Sequence, residues 1–224
     1  MEKLESYQLN EGEVAMFGYF RSSASFRVRI SLAFKKIPFK YIAVHLLKGD
    51  QKSGDFAKIN PTGLVPALWI DGHLLAESMA IVEYLEETRK DTRALLPADP
   101  LKKAKVREIC EHINSGMQPL INLRVLGEVD KLKGDKLAWA IHWITVGLQS
   151  LEKILAQSAG KYCVGDEVTL ADAFLVPQMW ASYVRFKIDK SLYPTIARIY
   201  DALAELPEVQ DSMPEKQPDY DPSA

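Results

Sequence analysis

The fold is decided by one stretch of sequence, YFRSSASFRVRI at positions 19–30, in which a strand ends in a serine cluster and opens directly into a helix. The first N–H groups of a helix have no acceptors within it and carry the positive end of its dipole. A serine cluster at this point therefore offers hydroxyls and N–H groups to an anion, including an ionised thiol. The same serines also suit an ordinary helix cap, and taken alone they favour capping.

Outward from this stretch, the residue pattern predicts a βαβαββα domain. An apolar strand begins at Val14, and the segment FKYIAVH at 39–45 alternates with period two, which predicts a second strand parallel to the first. Pro66 cannot lie inside a central strand, so we expect it to begin one. Asp71-Gly72 predicts a tight hairpin, and Ser78 is placed to cap the helix that follows.

The pattern changes after this first domain, which we place at residues 14–89. Residues 90–100 hold two prolines and alternating charges and are expected to be a linker. Over residues 101–212 apolar side chains recur at intervals of three and four, which predicts an all-helical domain. Residues 213–224 are rich in proline and aspartate, and we expect a loosely ordered tail.

Composition predicts a globular protein and excludes several classes of function. The net charge is -2 with lysine and arginine spread along the chain, so no nucleic-acid partner is expected. Cys110 and Cys163 form neither a disulfide framework nor a C-x-x-C pair, which fits a reducing compartment, and we expect a cytoplasmic protein. No apolar run is long enough for a membrane span, and the 4 histidines show no metal-ligand spacing, so neither a membrane nor a metal is expected.

A βαβαββα domain with this serine cluster, followed by a helical domain, resembles the glutathione transferase superfamily and, within it, the zeta class. The motifs that carry the resemblance are RSSASFRVRI (21–30), NPTGLVPAL (60–68), ESxAIxEYL (77–85), LPxDP (96–100), QPLxNL (118–123), YxVGDxVTxAD (162–172) and RFK (185–187). The first, fifth and last of these point to the zeta class. The resemblance implies a thioredoxin-like α/β domain, an all-α second domain, glutathione as cofactor, a small carboxylate substrate and a homodimer.

The resemblance also assigns the catalytic residues. Ser22 would donate a hydrogen bond that lowers the pKa of the glutathione thiol, with Ser23, Ala24 and Ser25 in the same binding turn. A free thiol is only about 3% ionised at pH 7, and a helix N-terminus with a hydroxyl donor lowers its pKa by about one unit or more. Arg185 would hold a carboxylate of the second substrate through two parallel hydrogen bonds. Ala24 stands where many zeta sequences have cysteine, and because the nucleophile would be glutathione's own sulfur, this departure should not abolish activity.

Further residues are assigned to the rest of glutathione. A cis Val65–Pro66 bond would free a main-chain edge for the cysteinyl part, although an ordinary strand-entry proline is the alternative. Glu77 would take the ammonium of the γ-glutamyl end and Ser78 its carboxylate, while Ser78 also caps its helix. Gln51, in the loop after the second strand, is a candidate for the glycyl end.

Two polar residues of the helical half complete the predicted binding set. Gln118 and Asn122 are four residues apart, hence on one face of a helix that Pro119 should kink. By resemblance this face reaches towards glutathione, including that of a partner subunit, and a solvated polar stripe is the alternative. Thr169 and Asp172 are assigned to folding as a capping pair.

The implied activity is glutathione-dependent cis–trans isomerisation of maleylacetoacetate or a similar maleyl ketone acid. A thiolate would add to the activated double bond, leave a single bond free to rotate, and be expelled as the trans product forms. Two alternatives stay open. One is transfer of glutathione to small α-halo acids, and the other is a glutathione-transferase-like binding module without turnover.

Overall fold

The computed structural model describes residues 7–52 and 54–223 of the 224-residue chain. Contacts divide the chain into two compact units. The first comprises Met1–Arg93 together with Pro207–Ala224, and the second is Ala94–Leu206.

The first unit is built on a mixed four-stranded sheet. In chain order its elements are β1 (Ala15–Gly18), α1 (Ser23–Phe34), β2 (Lys40–Ala43), α2 (Gly54–Ile59), β3 (Ala67–Ile70), β4 (His73–Ala76) and α3 (Ser78–Thr88). The strand order is β2-β1-β3-β4, with β1 and β2 parallel and β3 antiparallel to both of its neighbours. The predicted βαβαββα order and the parallel pairing of the first two strands are therefore confirmed.

Turn residues determine the β3–β4 hairpin and the start of β3. Asp71 and Gly72 both have positive φ, at 52° and 75°, as a two-residue hairpin with a type I′ turn requires. Strand β3 begins immediately after Pro66, as the missing N–H of that residue predicts. Every residue of β1 and β3 is buried, as is usual for the two central strands of a sheet.

The second unit consists of helices, apart from one isolated bridge, within the part of it that the structure describes. They are α4 (Pro100–Asn114), α5 (Leu123–Lys131), α6 (Lys136–Ser158), α7 (Leu170–Trp180) and α8 (Pro194–Ala204). Helix α7 is buried along its whole length and packs against α4 and α8. The apolar spacing of α6 predicts its buried face from Ile144 to Leu155, whereas Leu137 and Ile141 continue the same spacing and are exposed.

The chain then returns to the first unit. Helix α9 (Pro207–Ser212) packs against α1, and a 3-10 turn at Pro214–Lys216 follows it. The structure differs here from the expected loose tail of residues 213–224. Asp219 and Tyr220 contact Phe20, which lies two residues after β1. The polar composition of this segment gave no sign of these specific contacts.

Candidate active site

The turn between β1 and α1 presents Ser22 as the cap of the helix. Its Oγ accepts a hydrogen bond from the N–H of Ser25 at 3.2 Å, and its own N–H donates to the carbonyl of Tyr19 at 2.9 Å. A hydroxyl that accepts in this way keeps its proton available for donation. Ser22, Ser23 and Ala24 are half-buried, so a ligand from solvent can reach them. Capping and the predicted donor role are thus compatible in one residue.

Ser25 differs from the other residues of this turn. It is 0% exposed, and its Oγ lies close enough to β1 that a Cβ added at Gly18 would be 3.4 Å away. The hydroxyl of Ser25 therefore points into the sheet and not towards a ligand. The N–H of Ser25 faces the serine turn, where it donates to the Oγ of Ser22.

The loop before β3 brings a second predicted segment to the same end of the sheet. The Val65–Pro66 bond is cis, as the resemblance implies. Phe17 of β1 pairs with Ala67 of β3 in antiparallel register. Val65, two residues before Ala67, and Tyr19, in the turn that holds Ser22, are buried in the same hydrophobic cluster. The loop that carries Val65 therefore lies at the same end of the sheet as the serine turn.

Asn60 organises the loop that leads to Val65, and sequence reasoning did not single it out. This buried side chain donates through Nδ2 to the carbonyl of Leu64 at 2.8 Å. Its Oδ1 accepts from the N–H and the hydroxyl of Thr62, at 3.2 and 2.8 Å. The signal that could have found it is the NPTG turn sequence, in which asparagine commonly bonds to its own backbone two residues on.

Gln51 lies against this loop. It is in a 3-10 turn, Asp50–Lys52, and its carbonyl oxygen would be 3.1 Å from a Cβ added at Gly63. Gly63 also has a φ of +60°, so both the close approach and the backbone conformation favour glycine there. The amide oxygen of Gln51 is buried and accepts no hydrogen bond from the residues that the structure describes.

Glu77 and Ser78 form the start of α3, with one correction to the sequence prediction. Glu77, not Ser78, is the cap residue, and Ser78 is the first residue of the helix. The Oγ of Ser78 accepts a hydrogen bond from Nη1 of Arg27 at 3.2 Å, and both side chains are buried. Glu77 has a φ of 69°, an uncommon value for a residue with a Cβ, and such backbone strain clusters at ligand-binding positions.

Arg27 is a second residue that sequence reasoning missed. It lies on α1, five residues after Ser22, and its guanidinium links that helix to the start of α3 through Ser78. Few arginines are fully buried without a bonding role. The available signal was an arginine set between Phe26 and Val28 in a helix that has little polar face.

In the second unit the prediction for Gln118 and Asn122 was wrong in its local structure. The two residues do not share a helix face, because Gln118 begins a 3-10 turn, Gln118–Ile121, and Asn122 is the cap of α5. The side chain of Asn122 accepts from the N–H of Arg124 at 3.2 Å. Pro119 explains the difference, since it starts a short tight turn instead of kinking a continuous helix.

Arg185 ends a π-helical turn, Ala181–Arg185, that continues α7. Its guanidinium lies over the ring of Phe186, 5.1 Å from the centroid. Single π-turns of this kind occur frequently at functional sites. The predicted position of Arg185 at a helix end is therefore confirmed, while its role stays a prediction.

The protein's own two thiols are too buried to act as nucleophiles. Cys110 and Cys163 are both free and fully buried. Burial, with a smaller contribution from the nearby carboxylate of Asp172, raises the pKa of the Cys163 thiol well above its ordinary value. A reactive sulfur at the serine turn must then come from a ligand.

Two kinds of site are absent from the residues that the structure describes. Over residues 7–52 and 54–223 no three His, Cys, Asp or Glu side chains are grouped so as to hold a metal ion. No helix in those same ranges has the length and apolar character needed to cross a bilayer.

Both parts of the chain match known families. The family model described as Glutathione S-transferase, N-terminal domain, matches residues 12–87, and that described as Glutathione S-transferase, C-terminal domain, matches residues 132–212. Maleylacetoacetate isomerase of Rattus norvegicus is 50% identical over 213 residues, covering 94% of this chain and 97% of the relative. Glutathione S-transferase zeta class of Euphorbia esula is 45% identical over 215 residues, covering 95% of each chain.

Solved structures agree with these sequence relatives. Maleylacetoacetate isomerase of Anaeromyxobacter dehalogenans 2CP-1, crystallised with bound GSH in the active site, has a TM-score of 0.85 and 41% identity, covering 93% of this chain and 98% of that one. The same enzyme with dicarboxyethyl glutathione and citrate in the active site has a TM-score of 0.84, with 94% of each chain covered. The serine turn, the loop with the cis proline and these relatives lead to one assignment: the chain belongs to the glutathione S-transferase family, among its zeta-class and maleylacetoacetate isomerase members.

Proposed function

We propose that the protein is a glutathione-dependent cis–trans isomerase that converts maleylacetoacetate, or a similar maleyl ketone acid, to the fumaryl isomer. The observation that carries the proposal is the Ser22 turn, where a half-buried hydroxyl lies at the N-terminus of α1, at the same end of the sheet as the loop that carries Val65. The 50% identity to the isomerase of Rattus norvegicus over nearly the whole chain supports the same reaction.

The residues of the first unit fit glutathione as a ligand. Ser22 would donate to the sulfur, Val65 would offer its main chain to the cysteinyl part, and the start of α3 at Ser78 would receive a carboxylate. None of the residues that the structure describes donates to the buried amide oxygen of Gln51, and a peptide N–H of glutathione would supply a donor. When bound, glutathione supplies a thiolate that adds reversibly to an activated carbon–carbon double bond.

The chain's own contribution is to bind and to polarise. Ser22 and the N–H groups of the first turn of α1 stabilise negative charge on sulfur, which favours the thiolate at neutral pH. Arg185, placed by resemblance at the second substrate, would hold a carboxylate in position. The relative from Anaeromyxobacter dehalogenans accommodates dicarboxyethyl glutathione, which is consistent with a site that accepts carboxylates.

The same groups support a second reaction. Displacement of halide from a small α-halo acid needs only the thiolate and a cation for the carboxylate, and the zeta-class relative of Euphorbia esula is named as a transferase. We propose that halide displacement is a side activity of the same site.

Two further proposals concern the setting of the enzyme. We propose a cytoplasmic protein, since two free buried thiols fit a reducing compartment. We also propose a homodimer, supported by large apolar side chains that the second unit leaves exposed, such as Leu101 and Leu132 at 82% each. Sedimentation velocity tests the dimer, which a single monomer boundary at micromolar concentration would contradict.

The activity itself is tested by incubating purified protein with a maleyl ketone acid, with and without glutathione, and following loss of the cis double bond by ultraviolet absorbance. The proposal expects turnover only when glutathione is present, with glutathione recovered unchanged. A parallel assay with a dihaloacetate ranks displacement against isomerisation. Absence of turnover on both substrates, despite glutathione binding, would favour a binding module.

A further inference from the structure

The backbone of Phe20, in the turn that leads to Ser22, is held from two sides. Its N–H donates to Oδ2 of Asp219 at 3.0 Å, and its carbonyl accepts from Nη2 of Arg29 at 3.1 Å. Phe20 is 2% exposed, and it lies two residues before Ser22. A buried peptide group needs such partners, because leaving it unpaired costs free energy.

The partners of Phe20 come from the end of the chain, either directly or through Arg29. We call residues 207–223 the C-terminal strap. Asp219 belongs to it, and Nε of Arg29 donates to the carbonyl of Ser212 at 3.0 Å, again in the strap. The ring of Tyr220 packs edge-to-face on Phe20, with centroids 5.5 Å apart and planes at 87°. Two direct contacts, from Asp219 and Tyr220, and one connection through Arg29 therefore join the strap to Phe20.

The strap is itself ordered at this point. The side chain of Gln217 donates to the carbonyls of Asp211 and Met213, at 3.2 and 2.9 Å, and closes the chain back on the end of α9. The N–H of Tyr220 then donates to the carbonyl of Gln217 at 3.0 Å. These bonds give the strap a defined path, which is what a segment that fixes another segment requires.

The position of Phe20 in the turn determines where Ser22 lies. The N–H of Ser22 bonds to the carbonyl of Tyr19, so residues 19–22 form one four-residue turn with Phe20 at its second position. Rotating the peptide groups on either side of Phe20 would change the direction in which the turn leaves, and with it the position of the Ser22 hydroxyl.

We infer that Asp219, together with Arg29, is a positioning residue that fixes the Ser22 turn through the backbone of Phe20. The inference rests on the proposed function, because it assigns the strap a part in placing the hydroxyl that faces glutathione. It adds that the C-terminal strap is required for the chemistry as well as for packing.

Several charged and titratable groups surround Asp219. Arg29 comes from α1, Tyr41 from β2, and Glu215 from the strap faces Arg29. Burial lowers the pKa of Arg29 to about 10, an effect that the nearby Tyr41, Asp219 and Glu215 partly offset, so it remains a cation at neutral pH. Burial raises the pKa of Tyr41, which therefore stays neutral.

The test compares three substitutions in the full-length protein. Asp219→Ala removes the acceptor for the N–H of Phe20, Asp219→Asn keeps an oxygen acceptor at the same place, and Asp221→Ala is a control in the same strap. Asp221 instead accepts from the N–H and the hydroxyl of Ser223, at 2.8 and 2.6 Å. The readouts are amide hydrogen exchange at Phe20 without glutathione, thiolate absorbance of bound glutathione against pH, and kcat and KM.

We expect Asp219→Ala to speed exchange at Phe20, to raise the thiol pKa by about one unit, and to lower kcat roughly ten- to hundredfold with little change in KM for glutathione. Asp219→Asn should recover most of each effect, and Asp221→Ala should match the wild type. Thermal unfolding of each variant shows whether it is folded at the assay temperature. If Asp219→Ala does not fold, Tyr220→Leu gives a milder version, expected to shift all three readouts in the same direction.

The inference is overturned if Asp219→Ala keeps the wild-type thiol pKa and kcat, if Asp219→Asn is as impaired as Asp219→Ala, or if Asp221→Ala is equally impaired. Failure of the proposed function would look different. In that case wild-type protein would give no thiolate signal with glutathione, while exchange at Phe20 would still depend on Asp219.

Discussion

At the scale of single residues, the site combines structural and chemical roles in the same atoms. Ser22 satisfies an N–H of the first turn of α1 through its oxygen and leaves its proton for a ligand. Ser78 accepts from Arg27 through its oxygen, and it is also the first residue of α3, where the N–H groups have no acceptor within the helix. Folding and binding therefore cannot be separated by deleting a side chain, and a test needs a conservative partner variant.

Ser22→Ala should lower kcat by about 10²-fold, as removal of one charge-stabilising donor does, and should cost about 1 kcal/mol of stability through loss of the cap. Ser22→Thr keeps both the hydroxyl and the capping oxygen and should retain turnover within roughly tenfold. Steady-state kinetics with a urea unfolding curve separate the two losses. As a control, Thr169→Ala, in the capping pair of α7, should lower stability and leave kcat unchanged. A wild-type kcat in Ser22→Ala would refute the donor role of Ser22.

Lys35 gives a residue-scale prediction for stability. Its ammonium pairs with Glu86 at 2.7 Å and donates to Thr92 and to the carbonyl of Arg93, and the two charged side chains are 1% and 8% exposed. Lys35→Met should cost about 3–5 kcal/mol, because a buried carboxylate loses its cation. Lys58→Met, in a pair whose side chains are 65% and 43% exposed, should cost under about 1 kcal/mol. Similar urea midpoints for the two variants would contradict this.

At the scale of elements, the β3–β4 hairpin is tied to α3 by its turn. The carboxylate of Asp71 accepts from Nη2 of Arg89 and from the hydroxyl of Tyr84, each at 2.7 Å. These bonds, that of Arg89 first, lower the pKa of Asp71 below its usual 3.8. A carboxyl whose pKa is lowered in the folded state adds stability above its unfolded pKa and loses it as pH falls through the folded value.

Asp71→Asn tests that linkage, since asparagine tolerates the same positive φ in the turn. Wild type should melt at a higher temperature than Asp71→Asn at pH 6, and the difference should shrink as pH falls below 3.8. Melting temperatures from pH 6 to pH 2.5 measure it. A difference that stays constant over this range would mean that the carboxylate charge contributes nothing.

The elements of the first unit could be predicted because each has a local signal. Period-two alternation, Asp71-Gly72 and Pro66 determine strand, hairpin and strand start. The element at Gln118 to Asn122 could not, since the four-residue spacing that suggests one helix face is equally compatible with a tight turn followed by a cap. The inward direction of Ser25 was also hidden, because it depends on how α1 packs on β1.

At the scale of the whole molecule, the chain crosses from the first unit to the second and then returns. The return could not be predicted, since residues 213–224 have the composition of a disordered tail. The contacts of this segment with Phe20 come from two side chains, Asp219 and Tyr220, whose partner lies 199 or more residues earlier in the chain. Arg29 gave a faint signal, as a charged residue in an otherwise buried helix that needs acceptors from elsewhere.

The burial of both thiols yields a prediction for the protein as a whole. With Cys110 and Cys163 fully buried, native protein should react slowly with a disulfide reagent and release two equivalents of thiol after denaturation. Pretreatment with iodoacetamide, followed by its removal, should leave glutathione-dependent turnover unchanged. Inactivation that follows the labelling of either cysteine would assign a protein thiol to the mechanism.

The central claim is that the first turn of α1 keeps a bound thiol ionised. Its most direct test is the pH titration of thiolate absorbance for glutathione bound to wild-type protein. We expect a midpoint about one unit or more below the free-thiol pKa of about 8.5, and a return towards that value in Ser22→Ala. A midpoint equal to that of free glutathione, or one that does not respond to Ser22, would contradict it.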